Sequence, residues 1–292
     1  MGKRIFIYIA AIVVFFFSIG PLILTLMGSV IPDAALLSYP PKWFGKKPTL
    51  AYYGYIFTGK LLEDRDARGA SRGMITQEVR QIPRGLATSS TIALAVMGVN
   101  IVFGGMAAYA FARFRFRLKA ATFSGIVMCR LLPAAALAVP FYLIIQSLGL
   151  LDTKLAIILV HSILTLPFTV LILSVFFRSI PLEIEEAAKI DGSGPWSTFW
   201  RITLPLSASS MVATGLFSFM LSYSEFLYSL ILGGSEHTRT LPVIMGALST
   251  NTDVAWGMFM GGVFITLVPT LILVIVVWNF VVEGILFGGS KY

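Results

Sequence analysis

Long stretches without charge alternate with short charged segments along this chain. Six of these stretches hold the roughly 20 apolar residues that a helix needs to cross a bilayer. The pattern predicts helices at about 5–30, 86–112, 120–147, 155–178, 206–233 and 256–286. Because lipid offers the backbone no hydrogen-bond partners, each stretch must satisfy its own amide groups as a helix. The predicted fold class is therefore all-α, a polytopic membrane protein with one transmembrane domain over 1–292.

The placement of basic residues predicts the orientation of these helices. Lys3 and Arg4 precede a first apolar run that is too long for a cleavable signal peptide, so we interpret it as a retained anchor. The densest basic cluster in any short loop runs from Arg113 to Lys119. Positive-inside bias is strongest for short loops, which places this cluster and both termini in the cytoplasm. The long segment 31–85 then lies outside. Its aromatic residues Trp43, Tyr52, Tyr53 and Tyr55 suit an interfacial belt.

Composition supports the membrane prediction and removes several other classes. Hydrophobic residues make up 57% of the chain and charged residues 12%, against about 25% charged in an ordinary soluble domain. A soluble enzyme and a disordered chain both conflict with these values. The single Cys129 excludes a disulfide framework and a cysteine-rich metal site. The net charge of +8 is divided among separate loops, which argues against nucleic-acid binding.

The most informative segment is the loop 179–205 between the fourth and fifth predicted helices. It reads as two short helices, with Gly192 as the stop of the first and Pro195 near the start of the second. Trp196, Phe199 and Trp200 follow at helical spacing, which predicts one aromatic face at the membrane interface.

This loop resembles the EAA loop of ABC importer permeases. The seven defining positions are Glu186, Ala187, Ala188, Gly192, Ile202, Leu204 and Pro205. The whole chain looks most like the MalG-type permease subunit of bacterial carbohydrate importers. The similar segments are 107–113 at the end of the second helix, 180–183 before the EAA core, and the tail 284–291. The segment 222–227 is similar to a family segment that usually reads Trp-Asn-Glu-Phe, but Tyr223 and Ser224 depart from it.

The resemblance implies a subunit of an ATP-driven importer in the inner membrane. Its partners would be a second, MalF-like permease, two ATPase subunits or a homodimer of them, and an external solute-binding protein, with membrane lipid around the spans. The seven EAA positions would couple ATP hydrolysis to transport, and no residue of this chain would be catalytic or bind a metal. ATP and Mg²⁺ would bind the ATPase subunits, which agrees with the absence of a Gly-x-x-x-x-Gly-Lys-[Ser/Thr] motif. The solute would be a sugar or oligosaccharide, with an acidic one such as a uronate oligosaccharide as one candidate.

Two outer regions are candidates for contact with the binding protein. By resemblance, the link between the fifth and sixth helices would probe it through Ser249, Thr250, Asn251, Thr252 and Asp253. The alternative is a plain surface loop. The basic part of 31–85 has three interpretations: a solvated loop, a dock for an acidic face of the binding protein, or a surface that concentrates acidic sugars.

Two charges fall within predicted spans, Arg130 in the third and Glu225 in the fifth. Charges at such depth are costly and usually face a partner or a cavity. We predict a structural Arg130–Glu225 pair first. The alternatives are that Arg130 lines the pathway and attracts an anionic solute, or that either side chain snorkels to an interface. No carboxylate lies near His161 in sequence, so its predicted role is packing.

Two rival functions remain for comparison. An ion-gradient-driven secondary transporter usually shows inverted repeats and acidic relays in its spans, and neither is evident here beyond Glu225. An intramembrane hydrolase needs a Ser–His or paired-Asp site within the spans, and the sequence shows no such motif.

Overall fold

The computed structural model describes residues 2–43, 47–59, 78–250 and 255–289, with side chains up to residue 278. Every regular element within these ranges is helical. The helices are α1 Gly2–Gly28, α2 Asp33–Leu36, α3 Ala51–Thr58, α4 Ile82–Val99, α5 Gly105–Arg113, α6 Lys119–Met128, α7 Ala134–Ser147, α8 Lys154–Ser179, α9 Leu182–Ile190, α10 Pro195–Thr198, α11 Leu204–Leu206, α12 Ala208–Tyr223, α13 Leu227–Leu232, α14 Leu241–Ser249 and α15 Trp256–Gly289. Two π-helical segments, Asn100–Gly104 and Phe199–Thr203, join α4 to α5 and α10 to α11.

Among the described residues, four helices are long and apolar enough to cross a membrane, and two bent helix pairs bring the number to six if each pair is one span. The four are Lys3–Gly28, Ile82–Arg113, Lys154–Ser179 and Trp256–Trp278. The bent pairs are Lys119–Leu131 with Ala134–Ser147, at 103°, and Pro195–Leu206 with Ala208–Tyr223, at 82°. The continuous helices predicted over 120–147 and 206–233 are therefore wrong in detail, because each is interrupted.

The interruption in 120–147 has a local cause. Pro133 follows Leu132, whose backbone is extended at ψ 131°, and α7 begins directly after the proline. A residue before proline is biased away from the helical region, so the chain turns here and restarts. Arg130 lies in the short 3₁₀ turn Cys129–Leu131 at this bend.

The chain divides into two compact units, and the first comprises 1–86 and 243–268. Its core includes Tyr52 and Tyr55, which are 0% and 7% exposed, so the predicted interfacial belt is wrong for these two. The hydroxyl of Tyr52 accepts the N–H of Asp33 at 2.9 Å, and Asp33 Oδ1 accepts the N–H of Gly257 at 2.6 Å. Burial raises the pKa of Asp33, and the bonds to Gly257 and Tyr52 oppose that rise. The second half of the predicted outer loop, 60–77, lies outside the described residues.

The second unit comprises 87–242 and 269–292, and a polar seam runs through its interior. Asn100 Nδ2 donates to Thr165 Oγ1 at 2.6 Å, and the hydroxyls of Thr169 and Ser218 bond at 2.9 Å. A Cβ on Gly104 would lie only 2.7 Å from Thr169 Cγ2, which is too close for two carbon atoms. Glycine at this position therefore allows the segment Asn100–Gly104 to approach α8. Small residues and interhelical hydrogen bonds of this kind hold membrane helices together where the hydrophobic effect between them is weak.

Candidate functional site

The loop 179–205 forms an exposed two-helix projection at the end of α5 and α8. Helix α9 begins after Pro181 and ends at Ile190, and Gly192 follows with φ +86°. This left-handed backbone is available to glycine without strain, which confirms Gly192 as the stop of the first helix. The second helix begins at Pro195, also as predicted.

A buried carboxylate fastens this projection to the transmembrane helices. Glu185 Oε1 accepts from Arg113 Nε at 2.8 Å and from Thr203 Oγ1 at 3.0 Å. Its Oε2 accepts from the hydroxyl of Tyr109 at 3.2 Å. Arg113 Nη2 also donates to the carbonyl of Ile180 at 2.9 Å. The Glu185 and Arg113 side chains are only 3% and 8% exposed, so this ion pair is shielded from solvent.

The Glu185 anchor was missed by the sequence analysis, which focused on the neighbouring Glu186. The helical spacing of residues in this segment carries a signal for the anchor. Glu185 and Ala188 are spaced at i and i+3 and are both buried, whereas Glu186 and Ala187 are exposed. The amphipathic face of α9 therefore places one glutamate against the membrane domain and presents the next one outward.

The seven EAA positions separate into two groups in the structure. Four form the outward-facing group: Glu186, Ala187, Gly192 and Pro205. Ala188 is buried, and Ile202 and Leu204 are half-buried beside the membrane helices. The motif thus combines a surface that a partner can contact with residues that seat the loop on its own chain.

The predicted aromatic face of the loop is also divided. Phe199 is 3% exposed and packs against Tyr109 and Phe177. Trp196 and Trp200 are 63% and 38% exposed and meet edge to face at 5.7 Å. The π-helical turn Phe199–Thr203 changes the spacing of side chains within the segment. One aromatic ring therefore belongs to the core, and the two tryptophans remain available for an interface.

The predicted Arg130–Glu225 pair is wrong, because Glu225 bonds to His161. Glu225 Oε2 lies 3.0 Å from His161 Nε2, and His161 Nδ1 lies 2.9 Å from Ser222 Oγ. The carboxylate also accepts the N–H groups of Tyr228 and Ser229 at 2.9 and 3.1 Å. Glu225 thus caps α13 where the span is interrupted, and His161 is a polar partner rather than a packing residue.

Arg130 takes a different environment. Its side chain is exposed, Nη1 lies 3.4 Å from the carbonyl of Leu164, and the guanidinium lies 5.9 Å from the ring centroid of Phe168. Phe168 stacks on Phe217 at 4.6 Å. Within the described residues, no carboxylate forms an ion pair with Arg130.

At the opposite end of α8, Asp152 joins two connecting segments. Its Oδ1 accepts the N–H groups of Gly234 and Ser235, each at 2.9 Å, and the hydroxyl of Thr238. The hydroxyl of Thr238, and then the N–H groups of Ser235 and Gly234, hold the pKa of the Asp152 carboxyl well below its usual range. The carboxylate therefore stays ionised at neutral pH and keeps its three hydrogen bonds. These bonds join the connection before α8 to the connection after α13, and we call them the Asp152 bracket.

The residues predicted to contact a binding protein are only partly described. Ser249 ends α14, and its hydroxyl donates to the carbonyl of Gly246 at 2.8 Å. Thr250 donates to the carbonyl of Ala247 at 3.0 Å. Asn251, Thr252 and Asp253 lie outside the described residues. Across the part of the chain that is described, no three His, Cys, Asp or Glu side chains are grouped to hold a metal ion.

The described residues thus combine apolar helices long enough to cross a membrane with an anchored loop that presents an exposed helical face. Residues 100–283 match the family described as binding-protein-dependent transport system inner membrane component. The chain belongs to this family, whose members are the permease components of ABC importers in the inner membrane. Such permeases work with a partner permease, an ATPase and a substrate-binding protein, and ATP hydrolysis belongs to the ATPase. Of the two transport classes considered, the family selects the ABC importer.

Curated relatives support the same assignment. The sulfoquinovosyl glycerol transport system permease protein SmoH of Agrobacterium fabrum is 30% identical over 97% of this chain and 93% of its own. The trehalose transport system permease protein SugB of Mycobacterium tuberculosis is 30% identical over 70% of this chain and 76% of its own. The inner membrane ABC transporter permease protein YcjP of Escherichia coli is 33% identical, covering 70% and 73%.

A solved structure has the same fold. It is a chain of a bacterial ABC transporter involved in the import of the acidic polysaccharide alginate, and it aligns with a TM-score of 0.70. The alignment covers 96% of this chain and 98% of that one at 20% identity. At this identity the likeness extends to the arrangement of helices.

Proposed function

We propose that this chain imports a carbohydrate and receives the force of ATP hydrolysis through α9. The observation that carries the proposal is the two-sided helix: Glu186 and Ala187 face outward while Glu185 is fixed to Arg113 and Tyr109 behind them. A partner that moves the exposed face moves the membrane helices with it, because the buried ion pair leaves the loop little independent freedom. Of the seven EAA positions, Glu186, Ala187, Gly192 and Pro205 present this coupling surface. The other three, Ala188, Ile202 and Leu204, seat the loop on its own chain.

The proposed assembly contains this chain, a second, MalF-like permease, two ATPase subunits and an external solute-binding protein. ATP and Mg²⁺ bind the ATPase subunits and not this chain. We propose that each bent pair is one span, so that the chain has six spans and both termini lie on the same side of the membrane. The basic cluster after the second span supports the cytoplasm as that side. The proposed contact with the binding protein is made by Ser249 and Thr250 together with Asn251, Thr252 and Asp253.

The coupling role predicts a specific uncoupled phenotype. Glu186→Lys reverses an exposed charge on α9, and Gly192→Val forces a β-branched residue into φ +86°. Each variant is expected to reach the membrane at normal levels and lose at least tenfold in uptake, while the ATPase no longer responds to the loaded binding protein. The measurements are uptake, immunoblots of membranes, and ATPase activity in proteoliposomes.

Gly194→Val is the matched control for the glycine variant. Gly194 has φ −74° and ψ 166°, an extended backbone that suits valine, and a Cβ there meets open space. We expect near-normal uptake from this control. Wild-type uptake by Glu186→Lys and Gly192→Val would refute the coupling role.

For the solute, we propose an acidic carbohydrate recognised in part by Arg130. SmoH is named for the transport of sulfoquinovosyl glycerol, which is charged, and SugB for the transport of trehalose, which is neutral. The relatives therefore do not decide between a charged and a neutral solute for this chain. Arg130 lies 11 residues along from Lys119, or about 16 Å at 1.5 Å per residue, which is about half of a bilayer core. An exposed guanidinium at that depth needs an anion or water, because lipid solvates it poorly.

The surroundings of Arg130 suit a sugar. Phe217 is 43% exposed and is stacked on Phe168, which lies beneath the guanidinium. An aromatic surface can contact the C–H face of a pyranose ring while the guanidinium binds a carboxylate or sulfonate. Arg130, Phe168 and Phe217 together therefore resemble a half-site for an acidic sugar.

Arg130→Gln tests this site in the complete importer. The cognate binding protein is first assayed by calorimetry with a glucuronate-containing disaccharide and its neutral glucose counterpart. With the acidic probe, the variant is expected to lose tenfold or more in uptake, since hydrogen bonds to charged groups contribute about 1.5–3 kcal/mol. Lys154→Gln, which removes an exposed charge at the start of α8, should transport normally. A binding protein that accepts only neutral sugars would refute the acidic solute, and equal uptake by Arg130→Gln would refute the role of Arg130.

A further inference from the structure

A basic cavity of about 780 Å³ lies beside the coupling loop and shares Arg113 and Ile180 with the Glu185 anchor. Three segments build it: the connection after α5, the end of α8, and the start of α9. Its charged lining consists of Arg113, Arg115, Lys119, Arg178 and Glu183. The neighbouring Ser179, Ile180 and Pro181 form part of the same wall.

The positive charge in this cavity is largely uncompensated. Arg113 is neutralised by Glu185, which leaves Arg115, Lys119 and Arg178 against the single carboxylate of Glu183. Among the described residues, none of these three cations forms an ion pair. Lys119 Nζ donates one bond to the carbonyl of Phe114 at 3.0 Å, and Arg178 lies 5.8 Å from the ring centroid of Phe123. These contacts orient both side chains and leave further N–H donors of each available to a ligand.

The depth of the cavity indicates what occupies it. The span Ile82–Arg113 and the span Lys154–Ser179 both end at its wall, and the bent pair that begins at Lys119 starts there. The hydrophobic core of a bilayer ends where apolar spans end, so the cavity lies at the level of the lipid headgroups. Phe114 and Phe116, 43% and 42% exposed, lie between its basic residues in the sequence and offer apolar surface at the same level.

We propose that this cavity binds the phosphate group of an anionic phospholipid from the surrounding leaflet. Arg115, Lys119 and Arg178 supply the charge-assisted hydrogen bonds, and basic recesses between transmembrane helices are known to suit such headgroups. Because the wall includes the first turn of α9, a bound lipid steadies the connection between the coupling loop and α8. The proposal is independent of the solute and of the role of Arg130.

The test uses the complete importer in lipid nanodiscs and in detergent. The variant Arg115→Gln/Lys119→Gln/Arg178→Gln removes three cavity charges. The control Lys3→Gln/Arg4→Gln/Arg117→Gln removes three exposed charges that do not line the cavity. Native mass spectrometry after delipidation measures retained phosphatidylglycerol, and titration with phosphatidylglycerol against phosphatidylcholine measures affinity.

The wild type and the control are expected to retain phosphatidylglycerol, and each cavity charge removed should weaken it about fivefold, from about 1 kcal/mol per basic residue. Equal retention by the cavity variant would overturn the proposal. A second result would also overturn it: inorganic phosphate protects the importer against thermal unfolding, and phosphatidylglycerol binds no better than phosphatidylcholine. The ligand would then be a free phosphate. Loss of the ATPase subunits from the cavity variant in phosphatidylglycerol nanodiscs would assign the surface to the ATPase instead.

Discussion

Replacement of Glu185 by alanine is expected to abolish uptake and to lower the thermal stability of the importer. The carboxylate holds Arg113, Thr203 and Tyr109 at once, and it is 3% exposed. Removing it leaves the Arg113 guanidinium buried without a counterion, which typically costs about 3–5 kcal/mol. The loop would then detach from α5, and movement of the ATPase would no longer reach the membrane helices.

A double variant tests whether the loop must be held by an ion pair or only by tight packing against α5. Glu185→Leu/Arg113→Met replaces both partners by apolar side chains, a change that is often close to neutral for stability. Its melting temperature is expected to recover most of the loss seen in Glu185→Ala, and uptake should recover with it if packing is what transmits motion. Thermal unfolding in detergent and uptake in proteoliposomes are measured together. Normal stability and uptake in Glu185→Ala would contradict the anchoring role.

Replacement of Glu225 by alanine is the second change with a large expected effect. The variant loses the cap of α13 and the polar partner of His161 in one step. Loss of a helix cap alone costs about 1 kcal/mol, and a buried N–H group left without a partner adds about 1–3 kcal/mol. Tyr228 and Ser229, whose N–H groups lose their acceptor, are both buried. We expect a loss of stability of about 3 kcal/mol and at least a tenfold fall in uptake. Glu225→Gln keeps an acceptor oxygen and should retain much of both.

Double-mutant cycles identify the true partner of Glu225. The coupling energy between His161 and Glu225, measured from stabilities of the alanine variants, is expected to be about 1 kcal/mol or more. The coupling between Arg130 and Glu225 should be near zero. The reverse order of these two energies would contradict the observed pairing.

The sequence predicted the four long helices Lys3–Gly28, Ile82–Arg113, Lys154–Ser179 and Trp256–Trp278 well, and it did not predict the interruptions elsewhere. Uncharged runs report where the chain crosses lipid, because burial in a bilayer depends on composition over some 20 residues. The bend between Leu131 and Ala134 and the helix break at 224–226 depend on single residues instead. Pro133 gave a readable signal for the first bend. Glu225 gave a weaker one, because a carboxylate in an apolar run can be a partner charge or a helix cap.

The difference between local signals and contacts between distant residues also explains which parts of the site the sequence predicted. Gly192 and Pro195 were predictable from local backbone chemistry, and the structure has them as expected. The pairing of Glu225 with His161 joins residues 64 positions apart, and opposite formal charge alone suggested Arg130 instead. Glu185 was missed because its partner Arg113 lies 72 positions away, on another helix. Contacts between helices of this kind are set by rotation about each helix axis, which an apolar run does not specify.

The Asp152 bracket has a consequence for how this region varies among relatives. Two of its three donors are backbone N–H groups, those of Gly234 and Ser235, which any residue except proline supplies. Only the Thr238 hydroxyl and the Asp152 carboxylate are side-chain groups. Asp152 also has φ +59°, a backbone that asparagine and aspartate tolerate better than most residues. Substitution should therefore be free at 234 apart from proline, while 152 and 238 change together. Position 235 should favour a hydroxyl, because the Ser235 Oγ lies 3.3 Å from the Thr238 Oγ1.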